Sequence, residues 1–201
     1  MFSKIYKNFI ETKTKTKINK QFIAASKNNQ IAALESLLNQ GADVHANNDY
    51  ALKSAAFFGY LEVVKLLVTH GANIHADGEM ALRRASFHGH LPIVEFLIAH
   101  GADIHADDNE ALKKAACYGR LEVVKFLVKR GANIHANNDA ALKLAELNGH
   151  HDVWQALLFF SQEEKLLVAA LGVMPVLAAS ESMLVPQKQH PGLKKFRSSK
   201  I

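Results

Sequence analysis

The sequence predicts an all-α solenoid of stacked helix–turn–helix repeats, and three observations carry that expectation. The hexapeptide Gly101-Ala102-Asp103-Ile104-His105-Ala106 recurs as Gly41 to Ala46, Gly71 to Ala76 and Gly131 to Ala136, an even spacing of thirty. A period of roughly 20 to 50 residues is the mark of units that bury their apolar faces only against copies of themselves. Between the recurrences lie two short runs with apolar residues at helical spacing, each closed by a glycine. Neither run is long enough to persist alone in water, so stacking must hold both.

Composition bounds the rest. The chain has 201 residues, 49% hydrophobic and 21% charged, which describes a folded protein rather than a disordered one. A single cysteine, Cys117, excludes an intrachain disulfide and suits a reducing compartment. The N-terminus lacks the unbroken apolar core of a secretory signal, so the expected location is cytoplasmic. Charge is uneven: residues 1–20 carry six Lys against one Glu, and residues 187–201 carry four Lys and one Arg with no acid. The body between them is net acidic.

Taken in order, residues 1–18 read as a basic, flexible N-terminal segment in which Lys alternates with Thr, either mobile or a frayed helix. Five repeats are expected over 19–161, at about 19–46, 47–76, 77–106, 107–136 and 137–161. In the first, Gln21 to Asn29 aligns with Ala51 to Gly59. Asn29 stands where the later copies have glycine, and it is a residue type that tolerates a left-handed backbone. The second copy shows the type. Ala51 to Phe58 forms a short first helix ended by Gly59, and Leu61 to Val68 forms a second helix whose Leu61, Val64, Leu67 and Val68 share one buried face, with Val63 and Leu66 widening the stripe as suits a helix between two neighbours. Ala55, Ala56, Ala85, Ala115, Ala116 and Ala145 are small because successive first helices approach closely there. Asp107 and Asp108 fall in a turn, placed to cap the next helix.

The fifth copy drifts, with Trp154 and Ala156 in place of Val124 and Phe126. Beyond it, Leu166 to Ala179 is the most apolar stretch, interrupted by Pro175. As a helix its length would be about 21 Å, short of the ~30 Å hydrocarbon core of a bilayer. Residues 162–186 are therefore expected as a helical C-terminal cap, with a membrane-touching hairpin or a dimer contact as the alternatives. Residues 187–201 form a basic tail.

The run Leu61-Glu62-Val63-Val64-Lys65-Leu66-Leu67-Val68 ending in Gly71-Ala72 resembles the ankyrin repeat, as do the Ala-Ala pairs before Gly59 and Gly119 and the pairs Gly89-His90 and Gly149-His150. Two departures stand out. The usual unit is about 33 residues, and the Thr-Pro-Leu-His opening is replaced by Tyr50-Ala51-Leu52-Lys53 and its copies, in which only the Leu survives. The resemblance thus implies an ankyrin-type α-solenoid with shortened hairpin turns, similar to arrays of giant viruses and of bacteria living inside host cells.

No residue pattern supports catalysis or a cofactor. His45, His75, His105 and His135 form a ladder whose rungs are about a helix diameter apart, too far for a shared zinc ion with ligands ~2 Å away. They are expected to bond turn backbone. Cys117 has no base at hydrogen-bonding register, and the glycines are helix stops rather than a phosphate loop. What varies between copies is the outer side of the first helix. The resemblance implies that this side lines a concave, partner-binding face: Lys53, Phe57 and Phe58, then Arg83, Arg84, Phe87 and His88, then Lys113, Lys114 and Tyr118. Tyr50, Glu79, Met80 and Glu110 are expected as contacts at the turn tips. Exposed aromatics beside Arg are what interface hot spots are made of. The function expected is a non-catalytic module binding another protein, as a monomer, without a nucleic-acid partner or a transmembrane segment. Two further readings are open: a host-directed effector or viral product in the host cytosol, and association with an anionic surface through the Lys-rich ends.

Overall fold

In a computed structural model, which describes the backbone of residues 2–171 and the side chains of residues 10–166, the chain forms two compact units, Met1–Gln162 and Glu163–Ile201. Five helix pairs build the first: α1 (Phe2–Lys27) with α2 (Ile31–Asn39), α3 (Ala46–Phe58) with α4 (Leu61–Thr69), α5 (Ala76–His88) with α6 (Leu91–Ala99), α7 (Ala106–Cys117) with α8 (Leu121–Lys129), and α9 (Ala136–Leu147) with the start of α10 (His151–Leu171). The described part of the second unit is the end of α10. Most of the apolar stretch from Leu166 to Ala179, most of the expected cap over 162–186 and all of the tail over 187–201 lie outside the described residues.

Of the two readings of residues 1–18, the backbone takes the helical one: a single helix runs from Phe2 through Lys27 without a break. No Gly or Pro interrupts those residues, and the Thr14 and Thr16 hydroxyls donate to the carbonyls of Ile10 and Thr12 one turn back, which keeps them from competing for other backbone groups.

First helices carry the stack: α1 packs on α3, α3 on α5, α5 on α7 and α7 on α9, while the second helices touch more sparingly. The alanines make this approach possible. Ala55, Ala56, Ala85, Ala115, Ala116 and Ala145 are completely buried, together with Leu52, Leu82 and Leu112. In α4 the buried stripe is centred on Val63, Val64 and Leu67, with Leu61, Leu66 and Val68 half-buried at its edges. The stripe is thus turned slightly from the face expected. The turn follows from burial on two sides, where a helix pressed between neighbours widens its apolar stripe.

Each first helix stops by the same device. Gly59, Gly89, Gly119 and Gly149 sit at φ between 67° and 82°, and Asn29 takes their place at φ 54°. The next N–H then reaches back five residues, as from His90 to the Ala85 carbonyl at 2.9 Å. This is the Schellman closure, which needs a left-handed residue.

Between layers the expected hairpin is shortened to a single left-handed turn. Asn47-Asn48-Asp49, Asp77-Gly78-Glu79, Asp107-Asp108-Asn109 and Asn137-Asn138-Asp139 all lie at φ of 50–61°. Asn, Asp and Gly are the residues that tolerate this region. Asp107 and Asp108 therefore do not cap α7, whose N-terminus has no side-chain cap, because they are the turn itself.

Candidate functional site

Polar side chains tie the layers at both ends of the first helices. At the turn, the third left-handed residue of the second and fourth layers is buried and accepts a bond from the hexapeptide that leads into the following layer. The Asp49 Oδ1 accepts the Asn73 N–H at 2.8 Å, and the Asn109 Oδ1 accepts that of Asn133 at 2.8 Å. Asn19 does the same in the first layer for Asp43 at 2.9 Å. The histidine ladder belongs to this system. His45, His75, His105 and His135 each meet the side chain four residues on (Asp49, Glu79, Asn109 and Asp139), so the rings bond side chains rather than turn backbone. Among the described residues no group of His, Cys, Asp and Glu could hold a metal ion.

At the other end, the residue after Gly89, Gly119 and Gly149 reaches back over the layer before. The Nε2 atoms of His90 and His150 meet the carbonyl oxygens of Phe57 and Cys117 at 3.0 Å, and Arg120 Nε donates to that of Phe87 at 3.0 Å. These are orphan carbonyls of α3, α5 and α7, satisfied from the layer above.

The sequence-derived face divides against this frame. Position 53 and its copies belong to the turns. Lys53 is only 5% exposed and its ammonium pairs with Asp77 of the next turn. Arg83 pairs with Asp107 at 2.7 Å and donates to the Asp77 carbonyl at 2.8 Å, and Lys113 donates to the Asp107 carbonyl at 3.1 Å. Lys53 and Lys113 are thus corrected from partner contacts to turn struts, because the shortened turn brings an acid or a carbonyl within reach of each. Glu79 is corrected too: at 4% exposure it is turned inward to His75 and is no tip contact.

The remaining positions converge. A groove of about 600 Å³ runs across the first four layers, lined by Tyr50, Phe57, Phe58, Met80, Arg83, Arg84, Phe87, His88, Glu110 and Lys114. Phe57 and Phe58 are 37% and 45% exposed on α3. The His88 ring lies 4.2 Å from that of Phe57 and 4.5 Å from that of Phe87 (centroid to centroid), so the three make a continuous aromatic floor. Tyr118, 42% exposed, extends the floor at its rim, 4.0 Å from Phe87. Burial first, then the charges of His90, Arg120 and Arg84, hold the His88 imidazole below its ordinary value of 6.5. The ring is therefore neutral at pH 7, which suits a floor made of rings.

Cations stand along the walls. The Arg84 guanidinium lies 5.8 Å from the Phe57 ring centroid. Lys114 pairs with Glu110 at 3.2 Å, and Lys113 reaches the same carboxylate at 2.8 Å. Burial pushes the Glu110 carboxyl up, but the bonds from those two lysines outweigh it and hold the group below the usual range. Lys27 and Ser54 complete the lining; Ser54 lies on the outer side of the first helix as the sequence suggests, whereas Lys27 is not among the contacts expected from it. Lys27 is within reach of the repeat pattern, for it stands one period before Phe57 in the irregular first copy. Its ammonium is 4.8 Å from the Tyr50 ring centroid, and its hydrogen bond and charge draw the Tyr50 hydroxyl below its usual pKa.

Ankyrin-repeat family models match residues 22–108, as three copies, and residues 111–139. A segment of 51 residues is 43% identical to an ankyrin repeat protein of Acanthamoeba polyphaga mimivirus. That segment is 25% of this chain and 20% of the viral protein, so the chain matches about a fifth of its relative's length. Among the described residues no helix is long and apolar enough to cross a membrane.

Proposed function

Because this chain belongs to the ankyrin-repeat family, whose repeats form a generally non-catalytic protein–protein interaction module, we propose that it grips a partner protein in the groove along its first helices. One observation carries the reading. Phe57, Phe58 and Tyr118 lie open on a single face, while the other large apolar side chains over residues 47–136 are buried or half-buried. A contiguous exposed aromatic patch beside Arg is the composition of a hot spot rather than of idle surface. The groove belongs to residues 19–161, with the basic segments at either end and the span 162–186 as accessories. The working form is a monomer. The likeness to a viral protein supports a host-directed role in a reducing cytosol. That compartment suits the free thiol of Cys117.

Placing a photo-crosslinking amino acid at Phe58 and, separately, at the exposed Glu95 of α6 tests the face. A partner protein should be captured from host-cell lysate at Phe58 and not at Glu95. Capture should fall at least tenfold when Arg84 and Tyr118 are also changed to Ala, in line with two hot-spot truncations of about 1 kcal/mol or more each. Capture at Glu95 alone would move the interface to the opposite helices.

A further inference from the structure

The groove carries unequal charge, and the inequality names the chemistry of what fills it. Of its cations, Arg83 and Lys114 have carboxylate partners in Asp107 and Glu110. Lys27 and Arg84 do not: among the described residues neither meets an acid. Arg84 spends a single N–H, on the Lys53 carbonyl at a long 3.5 Å, and keeps the rest of its five donors. Its guanidinium carbon lies 5.8 Å from the Phe57 ring centroid. Glu110 is the one carboxylate on the wall, and Lys113 and Lys114 already neutralise it. The groove therefore presents two unmatched positive charges above an apolar, aromatic floor.

We propose that the groove takes a protein segment in which an acidic side chain neighbours a large apolar one. The apolar residue lies on the floor of Phe57, Phe87 and His88, and the carboxylate meets Arg84 and Lys27. The inference rests on the first-helix face being the binding face, and it adds what is bound there. Two arguments select this occupant. A carboxylate against an Arg fork beside carbon gains more than the same pair in open water, whereas a neutral or basic segment would leave both cations uncompensated. The volume, about 600 Å³, falls in the range of sites that enclose a whole small ligand and so accommodates several consecutive side chains. The basic tail over residues 187–201 does not fit this description, since it carries four Lys and one Arg and no acid.

Selection from a displayed library of random ten-residue peptides tests the chemistry without a known partner. Against the full chain, enriched peptides should place Asp or Glu within two residues of Phe, Trp or Leu. A synthetic peptide from that pool should lose at least tenfold in affinity on Arg84→Gln and gain nothing from the change Glu95→Gln. Against Lys27→Glu/Arg84→Glu, the same selection should switch to peptides bearing Lys or Arg, and this switch does not depend on comparing fold stabilities. Enriched peptides without acidic bias that still lose binding on Phe58→Ala would overturn the charge assignment while leaving the face intact. Peptides indifferent to Phe58→Ala and Arg84→Gln alike would overturn the face as well. Displacement of the selected peptide by a single-stranded oligonucleotide at equal concentration would show that the cations read phosphate, and the proposal would fall.

Discussion

Two seams join each layer to the next, and they work differently. The apolar seam between first helices is made of Ala55, Ala85, Ala115 and Ala145 with Leu52, Leu82 and Leu112, and it is nearly the same in every layer. The polar seams at the two helix ends use different side chains for one task. Asn19, Asp49 and Asn109 each accept an N–H of the hexapeptide that leads into the next layer, and His90, Arg120 and His150 each satisfy a carbonyl of the layer before. Apolar burial is proportional to area and tolerates sliding, whereas a hydrogen bond holds its two atoms to a narrow range of distance and angle. The first seam sets how closely the layers approach. The second sets where they stop.

Breaking the apolar seam should do the greatest damage. Ala115 is 0% exposed between α5, α7 and α9, so Ala115→Leu has nowhere to place its extra carbons. Overpacking typically costs about 1–3 kcal/mol, and a site closed on both sides belongs at the upper end. Urea unfolding should show the loss as a lower midpoint with unchanged slope. An unchanged midpoint would mean that the layers can part without cost.

A smaller effect isolates the polar latch. Gly119 and Gly149 end α7 and α9 with nearly equal φ, 67° and 72°. An added methyl therefore strains both backbones alike. Their surroundings differ. A Cβ on Gly119 would lie 2.6 Å from the His150 ring, which bonds the Cys117 carbonyl, while at Gly149 there is nothing within 4 Å. Gly119→Ala should therefore exceed Gly149→Ala by about 1 kcal/mol, the worth of the displaced hydrogen bond. Equal losses would reduce the latch to a bystander.

These seams also show what is legible in the sequence. Period, stop glycines and the small alanines can be read directly, because each is a local constraint repeated in copy after copy: Asn29 in a glycine's place is the clearest instance. The groove is legible as a set of varying positions. Its composition is not, because Lys53, Arg83 and Lys113 look like Phe57 or Arg84 in a list of variable residues. What separates them is the path of the turn, which brings Asp77 and the Asp107 carbonyl within reach. Of the turn itself, only the shortening is visible. Three consecutive residues rich in Asn, Asp and Gly do signal left-handed backbone, yet nothing local indicates that the third side chain points inward to serve the following layer. Lys27 escapes notice for a simpler reason: the irregular first copy looks like an end piece rather than a wall of the groove.

The smallest expected effect has the opposite sign and sharpens the comparison most. In the third layer the inward position holds Glu79, one methylene longer than Asp49 and Asn109. Among the described residues the Asp103 N–H has no bond to it, although Asn73 and Asn133 make theirs in the neighbouring layers. The longer arm bends instead to His75 at 2.5 Å, leaving its second carboxylate oxygen buried without a partner. Glu79 sits at φ 60°, a region to which Glu is the least suited of these residues. Glu79→Asn shortens the arm, restores an acceptor at the distance used twice elsewhere and removes a buried charge. The lost contact with His75 is replaced by one like that of His105 with Asn109, at 3.2 Å. The balance should be a gain of about 0.5–1 kcal/mol, the net worth of one hydrogen bond, with slower exchange of the Asp103 amide proton as its local signature. The reverse change, Asn109→Glu, should cost a similar amount and free the Asn133 amide. If both substitutions were neutral, the turn bonds would be a consequence of the stacking rather than a cause of its register.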